Sequence, residues 1–552
     1  MTKTMSKRTP RGRSLIAGVV AEPGSTPVQP SEIKFHAIDP ASGRELPTMY
    51  LAATTEELDR ACWAAWEAFH AMMDRSAADR ATLLETIAAR ILELGDDLLA
   101  VAGDETGLGP SRLVSERERT LGTLRMFAAL IRKGDWVEPS IDSAQASRRP
   151  TPKPDIRHML RPLGPVAVFG AGNFPLAYST AGGDTASALA AGCPVIVKGH
   201  PGHPGTGELV AIAIAEALAD CGFDPGTFSF LHSGGQREMA IGQQLVKHPA
   251  IRAVGFTGSV AGGTALARLA AERTDPVPVF AEMGSTNPIF VLPSALESQG
   301  DLAERLAGSI TAANGQMCTC PGLIFVPRGG AAEALTQALA KALNAVTPQT
   351  MLSRRTLGIY QRRLEEIRAA AGVEQVVGLV EPGTAAERAK AAGPIRCSPA
   401  LLRTSLDAFR KTPTLQEEVF GPAALIVVCD KPEQLPEAAA CIRGSLTGTL
   451  WLGSADQKLA RQVLAVLEQR VGRIIFNGVP TGVEVCHSIV HGGPFPATNQ
   501  PHSTAVGPLA IRRWVRPICY QNAPDAFLPA ELRNSNPMKL RRTVNGEIVE
   551  AG

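Results

Sequence analysis

An α/β architecture, with a doubly wound parallel sheet followed by a second α/β domain, is what the order of apolar runs in this 552-residue chain predicts. Two observations carry it. Between Gly164 and Met283 short apolar runs alternate with helical patterns, an order that implies parallel strands joined by right-handed crossovers. The same alternation resumes at Leu323 and continues through Thr449-Leu450-Trp451-Leu452.

Composition bounds the function classes. A chain that is 45% hydrophobic and 20% charged is ordinary for a soluble globular protein, and this length accommodates roughly two to four domains. Lys and Arg number 55 against 53 Asp and Glu, a net charge of +2 that supplies no field for nucleic acid or an acidic surface, so small-molecule partners are expected. The 10 cysteines include no CxxC pair and no His/Cys cluster at zinc spacing, which is the usage of a reduced, cytoplasmic protein without a structural metal. The N-terminus is basic through Arg13. The apolar stretch at 15–21 is short, holds Gly18 and is closed by Glu22-Pro23-Gly24, so it is neither a complete signal peptide nor a membrane span. A solvated, poorly ordered tail is expected there.

Taken in order, Phe35-His36-Ala37-Ile38 reads as a strand entering the turn Asp39-Pro40-Ala41-Ser42-Gly43. A helix opens at Thr54, with Glu57 at capping-box spacing and Leu58, Cys62, Ala65 and Phe69 on one face. A second is expected over 77–102, carrying Leu83, Leu84, Ile87, Ile91, Leu94 and Leu98 at helical spacing. A third, over 111–133, bears Arg112, Arg117, Arg119, Arg125 and Arg132, most of them expected on a solvated face. Residues 140–154 are polar and Pro-rich, a linker or an edge element.

Four strands follow at 165–169, 194–198, 227–231 and 253–257, with helices near 184–191, 207–220 and 237–247. Doubly wound sheets bind ligands beyond the carboxyl ends of their strands. The loops there are Gly170-Ala171-Gly172-Asn173-Phe174-Pro175, Lys198-Gly199-His200-Pro201-Gly202-His203, and Thr257-Gly258-Ser259 through Gly263. The first lacks a full dinucleotide fingerprint. Asn173 carries an amide able to donate to an oxyanion, and the Lys198 ammonium suits a ribose hydroxyl or a phosphate. The third loop opens a helix, whose free N–H groups and positive end suit a pyrophosphate.

An apolar run at 276–283 ends in Glu282, a carboxylate that partial burial would raise toward the pKa a general base needs. A helical pattern over 301–313 is followed by Asn314-Gly315-Gln316-Met317-Cys318-Thr319-Cys320-Pro321-Gly322 and then by the strand-like run Leu323-Ile324-Phe325-Val326. A cysteine on such a Gly-rich corner has few backbone obstructions around its sulfur, which makes Cys318 the candidate nucleophile. A helix is expected over 331–344. The tail beyond 482 is rich in Gly, Pro and His and carries extended segments such as Ile511-Arg512-Arg513-Trp514-Val515.

Five of these stretches, in order and at their spacing, resemble the aldehyde dehydrogenase superfamily: Gly172-Asn173-Phe174-Pro175 with Lys198, Phe256-Thr257-Gly258-Ser259 to Gly263, Glu282-Met283-Gly284, Gly315-Gln316-Met317-Cys318, and Glu417-Glu418-Val419-Phe420-Gly421-Pro422. The tail, with His491-Gly492-Gly493-Pro494-Phe495-Pro496, resembles the branch holding alpha-ketoglutarate semialdehyde (2,5-dioxopentanoate) dehydrogenases and an NADP-linked fatty aldehyde dehydrogenase. The resemblance implies an aldehyde dehydrogenase-like α/β fold. It implies an NAD(P)-binding domain of residues 1–140 and 163–283, a catalytic domain of 284–495, and a small β oligomerisation element of 141–162 and 496–552 that pairs subunits into a homodimer or homotetramer.

The roles it implies are those the chemistry supports. Cys318 attacks the aldehyde carbon, Asn173 and the Cys318 N–H hold the oxyanion, and Glu282 activates the water that hydrolyses the thioester. Lys198 and Glu418 bind cofactor ribose hydroxyls, Gly258, Ser259 and Gly263 shape the pyrophosphate turn, and Phe420 lies beside them. The glutamate that many NAD-preferring members place three residues after the lysine is Pro201 here, and His200 or His203 is near, so NADP is expected with NAD tolerated. Arg119, Phe174 and Phe495 are expected to line the aldehyde tunnel, with Arg119 pairing with the distal carboxylate of a short oxo-acid. Other readings are an apolar tunnel for long-chain aldehydes, a thiol acyl-hydrolase or CoA-acylating enzyme built on Cys318, and a non-catalytic binding protein. No nucleic-acid, membrane or metal partner is expected.

Overall fold

The computed structural model describes residues 8–21, 33–298, 300–378 and 393–550. A seven-stranded sheet forms the first domain, in the order Val279–Glu282, Ala253–Thr257, Val166–Phe169, Val195–Lys198, Phe228–Leu231, Leu15–Ile16, Val19–Val20; its first five strands run parallel. Those strands are apolar except at Ser229 and at the carboxyl-terminal Lys198, Thr257 and Glu282, because both faces are covered. Val166, Val168, Val195 and Val197 pack into one core with the helices Ala77–Glu93, Pro110–Lys133, Gly183–Ala191 and Pro204–Asp220, while Ala167, Phe169 and Ile196 face a second core under Thr55–Met73 and Glu238–Lys247.

The second domain repeats the plan. Its seven strands run Val373–Val377, Ala400–Ser405, Ala423–Cys429, Leu323–Pro327, Ile289–Val291, Ser445–Trp451, Val471–Phe476, all parallel except the first. Alternate residues again serve two cores: Ile324 and Val326 on one face, Leu323 and Phe325 on the other. A third, five-stranded sheet joins distant parts of the chain in the order Val515–Gln521, Ile156–Pro162, Ser140–Asp142, Arg542–Val544, Glu547–Val549.

The capping box at Thr54 forms as expected: Glu57 N–H donates to the Thr54 hydroxyl at 3.2 Å and Thr54 N–H to the Glu57 carboxylate at 2.8 Å. Four expectations are corrected. The segment 8–21 is a fixed strap, whereas Glu22-Pro23-Gly24 lies outside the described residues. Leu15 pairs with Phe230, and the buried Glu208 carboxylate accepts from the N–H of Arg11 and Gly12, so long-range contacts hold what local sequence could not. The expected helix over 77–102 breaks into Ala77–Glu93 and Gly95–Thr106, because Gly95 adopts φ +55°. Of the five arginines on Pro110–Lys133 only Arg125 and Arg132 are exposed. Residues 511–514 are not extended; Pro508–Trp514 is a 3-10 turn whose Trp514 is fully buried and donates to the Ser187 hydroxyl at 2.7 Å.

Candidate active site

Cys318 sits between the helix Leu302–Thr311 and the strand Leu323–Pro327. The helix stops short of the expected 313 because Ala313, Asn314 and Gly315 all take positive φ, at 48°, 53° and 67°. Gly315 is required: a Cβ there would lie 2.2 Å from the Gly421 carbonyl, so the cysteine loop packs backbone to backbone on the loop carrying Glu418. Asn287, buried at φ +44°, braces the same loop by donating to the carbonyls of Cys318 (2.9 Å) and Cys320 (2.8 Å). Its own oxygen accepts from Ser285 (2.8 Å) and Thr447 (2.9 Å). The two cysteines thereby part. Cys320 is buried with its thiol toward the Ile310 carbonyl at 3.5 Å and borders a separate pocket beside Glu418, whereas Cys318 opens on the cavity shared with Arg112 and Arg119.

That cavity, of about 110 Å³, is walled by Arg112, Glu116, Arg119, Phe174, Tyr178 and Val483 around Cys318. Arg119 donates to the Val483 carbonyl at 2.8 Å and to the Tyr178 hydroxyl at 2.7 Å. Phe174 packs edge-on to Tyr178, with ring centres 5.0 Å apart. Phe495 departs from expectation: it is 54% exposed and is not among the cavity's lining residues, its loop packing its backbone on Gly444 instead. Asn173, at the end of the strand Val166–Phe169, donates one amide hydrogen to the Gln316 carbonyl at 2.9 Å, which leaves the second for a ligand.

Glu282 ends the strand Val279–Glu282, where Met283 N–H donates to the Ala497 carbonyl at 2.8 Å and binds the tail to the strand. Burial pushes its carboxyl up to about 8, and its buried Oε2 accepts no hydrogen bond among the described residues. Between Glu282 and Cys318 stands a residue not singled out from sequence. His491 Nε2 lies 3.6 Å from the Cys318 sulfur and 3.8 Å from Glu282 Oε2. Burial, with Arg473 and Arg119 nearby, holds that imidazole neutral by pushing it down to about 3, so its contact with Glu282 is not an ion pair. Burial first, and then the charges of Glu282 and Glu418, push the Cys318 thiol up to about 12, while Arg119 opposes them. One histidine among 10, with no helical or strand periodicity around it, gave no local signal.

The other side of the thiol fits a dinucleotide. Lys198 is pushed down to about 8 by burial, and its ammonium lies 5.9 Å from the centre of the Phe169 ring, where a hydroxyl or phosphate would offset that desolvation. Glu418 is pushed up to about 7 by burial, eased by the Ser285 N–H, and Gly284 is bare beneath it: a Cβ there would lie 2.5 Å from Glu418 Oε2. Phe420 is half-buried two residues on. Ser259 caps the helix Val260–Ala271 by accepting from Gly262 N–H at 3.2 Å, and Gly263 lets that helix close on Met283, which a Cβ would meet at 2.6 Å. Gly258 likewise lies against the Phe256 ring. His200 faces the cleft under Gly172, and burial, His203, Lys198 and Arg355 hold it neutral. His203 is only 1% exposed and its Nε2 is engaged with the Ala171 carbonyl at 3.0 Å, so it does not reach a cofactor.

A thiol facing the ligand edge of a doubly wound sheet, with a buried carboxyl beyond it, is the arrangement of a nicotinamide-dependent dehydrogenase. The chain matches the aldehyde dehydrogenase family over residues 28–494 and belongs to it; it is an NAD(P)-dependent oxidoreductase. It is 44% identical to alpha-ketoglutaric semialdehyde dehydrogenase 2 of Azospirillum brasilense over 526 residues, covering 95% of this chain and 98% of that protein. It is 42% identical to alpha-ketoglutaric semialdehyde dehydrogenase of Acinetobacter baylyi over 509 residues, covering 91% and 94%. The fold superposes with a TM-score of 0.75 on betaine aldehyde dehydrogenase from Staphylococcus aureus in complex with NAD+, at 20% identity over 93% of this chain and 96% of the other. Among the described residues no helix is long and apolar enough to cross a membrane, and no cluster of His, Cys, Asp and Glu could hold a metal ion.

Proposed function

We propose that this protein oxidises 2,5-dioxopentanoate (alpha-ketoglutarate semialdehyde) to 2-oxoglutarate, with NADP preferred over NAD. The observation that carries the reading is the small cavity over Cys318 whose walls include two guanidinium groups, Arg112 and Arg119, a lining suited to a short acid and ill suited to a long alkyl chain. The two relatives above 40% identity, both named for this aldehyde, support it.

Cys318 attacks the aldehyde carbon as a thiolate eased by Arg119, the thiol proton leaving to solvent, while the neutral His491 imidazole and the protonated Glu282 add no negative charge beside the sulfur. The oxyanion is held by the free Asn173 amide hydrogen and the Cys318 N–H. A nicotinamide cofactor held by Lys198 and Glu418 would supply the hydride acceptor that turns the Cys318 adduct into a thioester. Glu282, as carboxylate, then takes a proton from the water that attacks the thioester and frees the acid. Lys198 and Glu418 hold ribose hydroxyls, Phe420 packs beside them, and the Gly258-Ser259 turn with Gly263 seats the pyrophosphate at a helix N-terminus. Pro201 presents no carboxylate to repel a 2′-phosphate, and His200 with Arg355 facing it supplies hydrogen-bond donors and positive charge there, which supports NADP. Arg119 is assigned to the tunnel wall with Phe174, where its charge eases the thiolate. We place the cofactor domain at 1–140 and 163–283, the catalytic domain at 284–495, and the subunit contact of a homodimer or homotetramer on the element formed by 141–162 and 496–552; sedimentation equilibrium checks the assembly.

Initial rates of cofactor reduction with 2,5-dioxopentanoate, hexanal and decanal, each with NADP and with NAD, test the reading. It predicts the highest kcat/KM for the dicarbonyl acid with NADP. Rates that climb with alkyl chain length would overturn it in favour of fatty aldehydes.

A further inference from the structure

Five donors on each of two arginines face the cavity, and they are not equally spent. Arg119 is committed, with Nη1 on the Val483 carbonyl and Nη2 on Tyr178. Arg112 is not. Its Nε and Nη2 are buried and meet no hydrogen-bond acceptor among the described residues, although both atoms belong to a side chain lining the same cavity. A buried guanidinium edge without an acceptor is costly unless something arrives to complete it.

We propose that Arg112, rather than Arg119, selects the aldehyde acid by taking the substrate's distal carboxylate on Nε and Nη2. This rests on the 2,5-dioxopentanoate reading of the site. Those two nitrogens form one edge of the guanidinium fork, the edge that meets both oxygens of a carboxylate at once. The plane of the fork is fixed before the ligand arrives, because the guanidinium carbon sits 4.3 Å from the centre of the Phe174 ring. Phe174 in turn adjoins Asn173, so the residue that holds the acid end and the residue that holds the oxyanion are tied through one loop.

The nearby carboxylate does not close the edge. Glu116 Oε2 forms an ion pair with Arg112 Nη2 at 3.3 Å that opposes the rise burial imposes on this carboxyl, but the contact is off hydrogen-bond geometry and leaves Nε with no acceptor among the described residues. Glu116 Oε1 is occupied by the N–H groups of Leu176 (2.8 Å) and Ala177 (3.0 Å), which hold the Phe174 loop down. Glu116 offsets one of the two lining guanidinium charges, and Arg473, whose guanidinium feels both Cys318 and Tyr178, adds a third positive group. The cavity is therefore positive on balance and receives an anion without building up like charge.

Position along the helix separates recognition from reaction. Arg119 stands near enough to the thiol to ease its ionisation. Arg112 lies seven residues, about 10 Å of helix rise, away on the same face. Arg112 and Cys318 line the same small cavity, so a short acid held on Arg112 keeps its aldehyde in the space over the thiol.

The test compares wild type with Arg112→Met, Arg112→Lys and Arg119→Met, using 2,5-dioxopentanoate and pentanal as the two aldehydes and titrating 2-oxoglutarate into each enzyme by calorimetry. Loss of a charged hydrogen bond predicts that the ratio of kcat/KM for the acid over pentanal falls about 10- to 100-fold in Arg112→Met. The Lys variant recovers part of it, and 2-oxoglutarate binding weakens by a similar factor. Equal losses on both aldehydes, or undiminished 2-oxoglutarate binding, would overturn the assignment, as would a loss of selectivity in Arg119→Met with none in Arg112→Met. Arg112→Gln keeps a hydrogen-bond donor beside the buried Glu116 and replaces the Met variant if that one does not fold. A wild-type enzyme with no preference for the acid overturns the substrate reading itself, whereas a wild type that prefers the acid and an Arg112→Met that still does overturns only the role of Arg112.

Discussion

Replacing Glu282 with glutamine removes one proton acceptor and almost no volume, so it separates the two halves of a thiol mechanism. Glu282 is 9% exposed and titrates near 8, so at pH 7 about a tenth of the molecules carry the carboxylate that activates water. The wild-type steady-state rate is expected to rise about tenfold per pH unit below 7 and to level off above the carboxyl's pKa. In Glu282→Gln the steady-state rate should fall by about 10²- to 10⁴-fold, the usual worth of a positioned base, and lose that pH dependence. Acylation needs no water, so one equivalent of reduced cofactor per site should still form before turnover stalls. Stopped-flow absorbance of the reduced cofactor reads the burst, and mass spectrometry of the quenched enzyme reads an acyl group on Cys318. A variant whose burst falls as far as its steady-state rate would refute the division of labour, and so would a wild-type rate flat between pH 6 and 9. The same carboxyl makes a stability prediction of fixed sign. Its folded pKa is raised above the unfolded value near 4.5, so the protonated form favours folding below that value and the contribution is lost as pH rises through 8. Above pH 8 the charged form costs about 5 kcal/mol, and Glu282→Gln should then be more resistant to urea than wild type, with little difference at pH 5.

Three further outcomes follow from particular contacts. Gly284→Ala puts a methyl 2.5 Å from Glu418 Oε2 and should raise the KM for the cofactor while leaving alkylation of Cys318 by iodoacetamide in the absence of cofactor near the wild-type rate. Asn287→Ala strands the Cys318 and Cys320 carbonyls and two hydroxyls and puts alanine at φ +44°; a loss of about 2–4 kcal/mol in a urea titration is expected, together with slower Cys318 alkylation. Pro201→Glu returns a carboxylate to the adenosine end of the cleft, and the ratio of kcat/KM with NADP to that with NAD should drop by about tenfold or more.

Fold was legible where periodicity is local. The parallel strands announced themselves as short continuous apolar runs, and Val166 to Phe169 show why: both faces are buried, so no polar alternation is needed. The strap at 8–21 was illegible for the opposite reason. Two-residue strands have no period to read, and what holds them is Glu208 and Phe230, about 200 positions away. The helix break at Gly95 was visible as a residue but not as an event, since a glycine inside an apolar helical pattern is tolerated as often as it interrupts. The arginines of Pro110–Lys133 were misread because composition ranks them as surface groups, while Arg112 and Arg119 line the cavity over Cys318.

The site shows where residue-by-residue reading ends. Cys318, Glu282 and Asn173 sit at strand ends and corners that sequence marks, but the group between the thiol and the carboxyl comes from a tail segment laid across them: Met283 bonds Ala497, and His491 arrives six residues before it. The consequence is electrostatic. Attack by Cys318 is opposed by negative charge at Glu282, whereas hydrolysis of the thioester requires it. A carboxyl at its ordinary pKa would carry that charge in both halves of the reaction and hold the thiol protonated. A carboxyl raised to about 8 is mostly neutral while the thiolate forms, and it can surrender its proton once the sulfur is acylated and no longer competes. In the proposed mechanism, burial of Glu282, a cost to folding above pH 8, is thus what would let one side chain serve two steps that demand opposite charge.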